Sequence, residues 1–134
     1  MEIKPGQSAT VLRTVGQADT AAAVGSGDLA VLGTPVLLAW LEAATIAVCG
    51  STEFETTVGT RVAVDHLRPS AVGTEVYCTA TVAHIDGRMV TFKVEATQKQ
   101  RDEDVLVGRG VVTRAVVQRE QFLARLDRRA TDRS

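Results

Sequence analysis

The chain has 134 residues, which is enough for one domain with a real hydrophobic core and too short for two. Its hydrophobic fraction of 45% and charged fraction of 23% match soluble globular proteins, which excludes a disordered or fibrous chain. A formal net charge of -1 carries no electrostatic signature of nucleic-acid or anionic-membrane binding, so neither partner is expected.

The first part of the chain is strand-like and then changes period into a helix. Residues 7–15 are predicted to form the first strand. Thr34 suits an N-cap and Pro35 the first helical position, and the helix expected over residues 36–48 ends at Gly50. This helix is apolar almost all round, so other parts of the fold should surround it.

Strand-like segments follow the helix with almost no helix between them. After a polar loop at residues 51–58, the predicted strands are residues 61–68, 74–85, 89–98 and 105–117. The pair Asp86-Gly87 predicts a type I′ hairpin, whose two central residues both need positive φ. Residues 101–104 form the last loop between strands, and a short amphipathic helix over residues 120–126 precedes a charged end that is expected to fray.

This order of elements predicts an α+β fold in which an antiparallel five-stranded sheet wraps around one central helix. Residues 1–134 would form a single domain. The valine-rich strand 105–117 is expected at an exposed edge of the sheet, and pairing with a second copy of the chain would cover that edge. A homodimer is therefore predicted, the alternative being that Arg109 and Arg114 simply blunt the edge.

The cysteines and the apolar runs bear on metal binding and location. Cys49 and Cys78 lie in apolar segments and have no Cys or His partner at metal-ligand spacing, so buried structural thiols and no metal site are expected. The first ten residues contain no apolar signal core, which favours a cytoplasmic protein. The apolar run at residues 29–41 is shorter than the roughly 20 residues that span a membrane, so no membrane anchor is expected.

Glu42 is the most informative residue of the sequence. It is the only charged side chain between Asp28 and Glu53, in the middle of an apolar helix. An ionised carboxylate there costs several kcal/mol unless it is paired or hydrogen-bonded. Two interpretations follow: Glu42 lies on a narrow solvent-facing edge of the helix, or it faces a site as a nucleophile or general base.

Thr34 and His66 are further candidates, although each has a structural explanation. Thr34 is an ordinary helix cap, yet a helix N-terminus also offers free N–H groups to a carbonyl oxygen that gains negative charge. His66 shares a strand face with Val62 and Val64, and a lone strand histidine is more often a satisfied core or edge residue than a catalytic one. Thr34 and Glu42 lie about 12 Å apart along a helix, so they can flank one groove without touching directly.

Together these residues form a pattern that resembles the fluoroacetyl-CoA thioesterase-like family of hot-dog proteins, over nearly the whole chain. The stretches that carry the resemblance are residues 33–35, 40–43, 58–66, 69–73 and 108–114. The stretch HLRPSAVGTEVYCTATV is similar to a strand-turn-strand unit common to many acyl-thioester enzymes. The spacing of Thr, Glu and His is the feature that selects this family within the superfamily.

The resemblance implies a hot-dog fold and acyl-CoA thioesterase activity, with coenzyme A as part of the substrate and no other cofactor. Thr34, Glu42 and His66 would be the catalytic residues. Glu42 would attack the thioester carbonyl or activate water, Thr34 would orient that carboxylate, and His66 would act as general base and acid toward the departing thiolate. Gly59 would be a backbone donor near the thioester carbonyl, and Arg114 would lie near the acyl end.

Two parts of what the resemblance implies, the acyl specificity and the thioesterase activity, have alternatives. The fluoroacetate-specific enzyme that the chain resembles closes its acyl pocket with phenylalanines ahead of the threonine, and residues 25–33 contain none. Selectivity for a fluorinated acyl group is therefore not expected here. A non-catalytic acyl-CoA-binding hot-dog protein and a hot-dog hydratase or dehydratase, which relies on an Asp and His pair, remain open as other functions.

Overall fold

The computed structural model describes the backbone of residues 1–132 and the side chains of residues 1–127. The strands are β1 (Ser8–Thr14), β2 (Glu55–His66), β3 (Glu75–Asp86), β4 (Met89–Gln100) and β5 (Glu103–Gln118). The helices are α1 (Ala21–Val24), α2 (Thr34–Cys49) and α3 (Arg119–Asp132), with a short 3-10 turn at Gln17–Asp19. The predicted α+β class is confirmed, because one five-stranded antiparallel sheet packs against the long helix α2.

The order of the strands in the sheet is β1-β3-β4-β5-β2. β5 pairs with β4 on one side and with β2 on the other, so the prediction that residues 105–117 form an exposed edge is wrong. The free edges belong to β1 and β2. The periodicity of side chains indicates which face a strand buries, but not which strands become its neighbours.

The core lies between α2 and one face of the sheet. Leu37, Leu41 and Ala44 on the helix are completely buried. They pack on alternating side chains of β3 and β4, namely Val76, Cys78, Ala80, Val82, Val90, Phe92, Val94 and Ala96. Cys49 and Cys78 are free and buried, as predicted. Burial raises the pKa of the Cys78 thiol to about 11, which makes it a poor nucleophile.

The N-terminus of α2 differs from the prediction. Gly33 occupies the N-cap position in an extended conformation, and Thr34 is the first helical residue, so its hydroxyl does not cap the helix. Pro35 is therefore the second helical residue, one position later than predicted, and it still lies in the first turn. The Gly50 N–H makes the last helical hydrogen bond, to the Ile46 carbonyl, and the positive φ of 63° at Gly50 turns the chain out of the helix.

The expectation that the rest of the fold surrounds α2 is wrong for one face of the helix. Ala39 and Ala47 are exposed, and Ile46 retains 50% of its accessible surface. The sheet covers only the opposite face, because five strands curve around one side of a helix rather than closing on it. An apolar strip of α2 is therefore left open in a single chain.

The connections between strands also correct the predictions in detail. β2 already begins at Glu55, inside the segment predicted as a loop, because residues 55–58 pair with the end of β5. At the β3–β4 hairpin Asp86 pairs with Met89, and only Gly87 has positive φ, so the expected type I′ turn at Asp86-Gly87 is not formed. The β4–β5 connection contains only Arg101 and Asp102, both with positive φ.

The C-terminal helix is longer than predicted. α3 runs from Arg119 to Asp132, whereas the sequence predicted a helix over residues 120–126 followed by a frayed end. Residues 133 and 134, the end of the segment predicted to fray, lie outside the described residues. They are also the last residues of the single domain predicted over residues 1–134. That domain assignment stays a prediction.

Candidate active site

Thr34 and His66 meet where α2 begins and β2 ends. Thr34 Oγ1 lies 2.8 Å from His66 Nδ1. Since Gly33 takes the N-cap position, the Thr34 hydroxyl is free to make this bond. Every second residue of a strand points to the same face, so Val62, Val64 and His66 share one face of β2, and His66 points toward the helix. The two candidates from distant parts of the sequence therefore form one hydrogen-bonded pair.

The surroundings of His66 favour its neutral form. Partial burial lowers the pKa of its imidazole below the usual 6.5, and the nearby backbone of Arg68 offsets part of this effect. Its Nε2 atom is buried and has no hydrogen-bond partner among the described residues. When a neutral His66 carries its proton on Nδ1 and donates it to Thr34, its Nε2 is a free proton acceptor.

A groove of about 260 Å³ opens beside this pair. It lies between residues 21–34 and residues 66–69, and Thr34 and His66 line it. Leu32 N–H donates to the Ser70 carbonyl at 2.9 Å, which holds one wall against the turn that follows β2. The walls combine aliphatic side chains with four polar ones, Ser26, Thr34, His66 and Arg68, an arrangement typical of small-molecule sites.

Glu42 lies elsewhere on α2 and is ion-paired. Arg114 Nη1 donates to Glu42 Oε2 at 3.1 Å, and the Glu42 side chain retains 34% of its accessible surface. Arg114 Nε donates to Thr57 Oγ1 at 2.9 Å, and Nη2 donates to the Thr57 carbonyl at 3.1 Å. The carboxylate thus faces the sheet next to a buried guanidinium and is also partly open to solvent.

Gly59 is in contact with the same carboxylate. It pairs with Arg114 in the sheet, and a β-bulge follows it before Arg61. A Cβ atom added to Gly59 would lie 2.5 Å from Glu42 Oε2. The lack of a side chain at Gly59 therefore makes room for Glu42, whereas the predicted role of its N–H toward a thioester carbonyl stays a prediction.

The three residues implied to be catalytic do not all meet within one chain. Among the described residues Glu42 makes no hydrogen bond to Thr34 or His66, so the implied Thr34–Glu42 bond is absent. Thr34 and Glu42 are about 12 Å apart along the helix. Gly59, beside Glu42, and His66 are separated by roughly 20 Å of strand. Arg114, which the resemblance places near the acyl end, contacts Glu42 instead.

Thr57 is a site residue that the sequence did not indicate. It is buried and anchors Arg114 through two hydrogen bonds. The sequence places it in a polar loop, and only its register opposite Val116 in the sheet brings it under the guanidinium. A threonine among polar neighbours carries no signal of this contact.

The described part of the molecule contains neither a cluster of metal-ligating side chains nor a helix that could span a membrane. Residues 1–127 contain no group of three or more His, Cys, Asp or Glu side chains that could hold a metal. Within the described residues, the helices are too short or too polar to cross a bilayer.

Comparisons with known proteins identify the fold and the family. A family model described as "FlK: Fluoroacetyl-CoA-specific thioesterase" matches residues 15–120. A Thermus thermophilus protein described as a thioesterase superfamily member has a TM-score of 0.85 and 24% identity, covering 98% of this chain and 96% of its own. A mutant of the fluoroacetyl-CoA thioesterase in complex with acetyl-CoA has a TM-score of 0.84 and 21% identity, covering 95% and 98%.

A further solved structure, a hot-dog-like protein from Thermanaerovibrio acidaminovorans, has a TM-score of 0.83 and 22% identity and covers 95% of this chain and 93% of its own. No curated protein matches the sequence. The sheet, its helix and these structural matches define the molecule as a hot-dog fold. Because the family model spans most of the chain, the chain belongs to the fluoroacetyl-CoA-specific thioesterase family. Its activity is acyl-CoA thioester hydrolysis, as the resemblance implied.

Proposed function

We propose that Thr34 and His66 of one chain, together with Glu42 of a second copy, hydrolyse a small acyl-CoA thioester. The observation that carries this proposal is the distance between the Thr34–His66 pair and the Glu42 carboxylate within one chain. Thr34 and His66 form a pair at one end of β2, and Glu42 lies beside Gly59 near the other end. A site that needs all three residues is incomplete in one chain.

The free edge of β2 supports a homodimer that would complete the site. Arg61, Val62 and Ala63 are exposed, and Val62 lies on the face of β2 that also carries His66. An unpaired strand edge is a template for pairing with another chain. Antiparallel pairing of two β2 edges about a two-fold axis places opposite ends of the strand side by side, so His66 would approach the partner's Glu42.

The proposed reaction uses water as the nucleophile or forms an acyl-enzyme on Glu42. In the first case the carboxylate holds the water, and His66 Nε2 takes the water proton as its oxygen attacks the thioester carbonyl. Collapse of the tetrahedral intermediate breaks the C–S bond, and the imidazolium returns the proton to the thiolate of CoA. Thr34 accepts the Nδ1 proton in a hydrogen bond and thereby holds the ring. No cofactor is needed beyond the CoA of the substrate.

The proposed substrates are small acyl-CoA esters without a requirement for fluorine. A relative has been crystallised with acetyl-CoA, and a phenylalanine-to-alanine mutant of it with fluoroacetate and CoA. In this chain the first 53 residues contain no phenylalanine. The groove next to Thr34 is instead walled by Ala21, Val31 and Leu32. A cytoplasmic location is also proposed, since both buried cysteines remain free thiols.

The hydrolase assignment is tested by release of free CoA thiol from a panel of acyl-CoA esters. Glu42→Gln and His66→Ala should each lower kcat by a factor on the order of 10² or more, as expected for groups acting on the reacting atoms. His84→Ala is the matched control, because His84 is the other histidine and is exposed. Retention of normal turnover in both site variants would remove the site assignment. Acyl-CoA binding without thiol release by the unmodified protein would indicate the non-catalytic alternative.

The shared site is tested by mixing the two inactive variants. In a heterodimer of Glu42→Gln and His66→Ala, one of the two sites would contain only unmodified residues. Random exchange of subunits should therefore restore about a quarter of the unmodified activity. If each site came from one chain, the mixture would stay as inactive as its components.

A further inference from the structure

We infer that Arg114 is a positioning residue that holds the Glu42 carboxylate by one oxygen and leaves the other for the reaction. The inference rests on the proposed role of Glu42. It also assigns Arg114 a different role from the one near the acyl end that the family resemblance implies. Its evidence is the set of contacts around the guanidinium and the carboxylate.

The guanidinium is fixed independently of Glu42. Arg114 is only 5% exposed. Its Nε and Nη2 atoms both donate to Thr57, one to the hydroxyl and one to the carbonyl. Two parallel bonds to one residue fix the plane of the guanidinium, which a single bond cannot do. Arg114 therefore presents Nη1 to Glu42 at a set position and angle.

The carboxylate is enclosed on the side of Oε2. Arg114 Nη1 donates to this oxygen, and the backbone of Gly59 closes around it so tightly that a Cβ atom would lie 2.5 Å away. Among the described residues Oε1 receives no hydrogen bond from the protein. Since the side chain is also one-third exposed, Oε1 is the oxygen that can reach a substrate or water.

This geometry explains why an arginine is required at this position. A lysine has no planar fork, so it could neutralise Glu42 but could not bind Thr57 twice and Glu42 at the same time. The contribution of Arg114 would be the orientation of Glu42 in addition to its charge. Misplacement of a reacting group by about 1 Å costs on the order of 10²-fold in rate.

The test compares Arg114→Lys and Thr57→Val with Thr113→Val. Thr113 adjoins Arg114 in β5, and among the described residues its hydroxyl makes only a 3.4 Å hydrogen bond with Thr91, so it is the matched control. We expect Arg114→Lys to lower kcat about 10²-fold and Thr57→Val about 10-fold, each with KM changed less than about twofold. Thr113→Val should keep kcat and KM within about twofold of the unmodified values.

The kinetic constants are measured well below the melting temperature of each variant, so that loss of stability is separated from loss of orientation. A higher KM at unchanged kcat in Arg114→Lys would mean that Arg114 binds the substrate, and it would overturn the inference. Unchanged constants in Thr57→Val would overturn the anchoring of Arg114 even if Arg114→Lys fails to fold. Glu42→Gln is assayed in parallel to separate the two proposals. Full activity of Glu42→Gln would refute the proposed function. An inactive Glu42→Gln together with a fully active Arg114→Lys would refute only the positioning role of Arg114.

Discussion

His66 acquires its chemical properties from its position at the end of β2. Partial burial disfavours the imidazolium, and the hydroxyl of Thr34 occupies Nδ1. The buried Nε2 atom lacks a partner among the described residues, which is uncommon for a merely structural histidine. The same burial that suits His66 to accept a proton links the stability of the fold to pH.

The lowered pKa of His66 predicts a loss of stability in acid. The contribution of the neutral ring is fully present above the unfolded pKa of about 6.5 and is lost as the pH falls through the lower folded pKa. The melting temperature of the unmodified protein should therefore drop more between pH 7.5 and pH 5 than that of His66→Gln. Thermal unfolding followed by circular dichroism measures this difference, and parallel curves for the two proteins would contradict it.

Gly59 predicts a second effect at the residue scale. A methyl group at this position would push Glu42 Oε2 away from Arg114, because the added Cβ would lie 2.5 Å from that oxygen. Gly59→Ala should lower kcat for thiol release about 10-fold or more, since displacement of a reacting group slows the reaction steeply. Gly16→Ala is the control, because a Cβ there meets only Asp19 Oδ2 at 3.4 Å. Equal kcat values for the two variants would show that Glu42 can shift without consequence.

The element that departs most from its sequence preference is the β4–β5 turn. Arg101 and Asp102 have φ values of 53° and 65°, a region that favours glycine. The long antiparallel pairing on both sides, which continues to Gln100 and Glu103, imposes this two-residue turn on them. At the β3–β4 hairpin Gly87 fills the positive-φ position without strain.

Opposite effects on stability are therefore expected at these two turns. Arg101→Gly should raise the free energy of unfolding by about 0.5–1 kcal/mol, and Gly87→Ala should lower it by about 1 kcal/mol. Urea denaturation at neutral pH measures both values. If Arg101→Gly instead lowered the free energy of unfolding, the arginine side chain would stabilise the fold by more than its strained backbone destabilises it.

At the scale of the whole molecule, the two edges of the sheet differ in what lies next to them. The β2 edge runs between the Thr34–His66 pair and the Glu42–Arg114 pair, whereas β1 contributes no residue to either pair. The open strip of α2 around Ala39 and Ile46 adds apolar surface that a partner could cover. These features support pairing through β2 as the way to assemble the site.

A charge introduced on β2 should disrupt the dimer and the activity together. Val62→Asp is expected to give a monomer by light scattering at micromolar concentration and to lower thiol release at least 10-fold, because a buried unpaired charge opposes pairing. Leu12→Asp on the β1 edge, at a side chain of similar exposure, should change neither property. A Val62→Asp protein that stays dimeric and active would place the interface elsewhere.

The sequence by itself determined the fold class and the candidate side chains. The change of period from strand to helix and back predicted the long central helix and the five strands, and Gly50 marked the end of that helix. Glu42 stood out because a lone charge in an apolar helix requires a partner. These signals are local, since they depend on residues within a few positions of one another.

Only the tertiary structure decided which of these residues meet. The pairing of β2 with β5 moved the free edge from the last strand to β2 and brought Thr57 beneath Arg114. Gly33 replaced Thr34 as the cap, which freed the hydroxyl for His66. Strand order and contacts between distant residues depend on how all the strands fit together, and no local pattern encodes that arrangement.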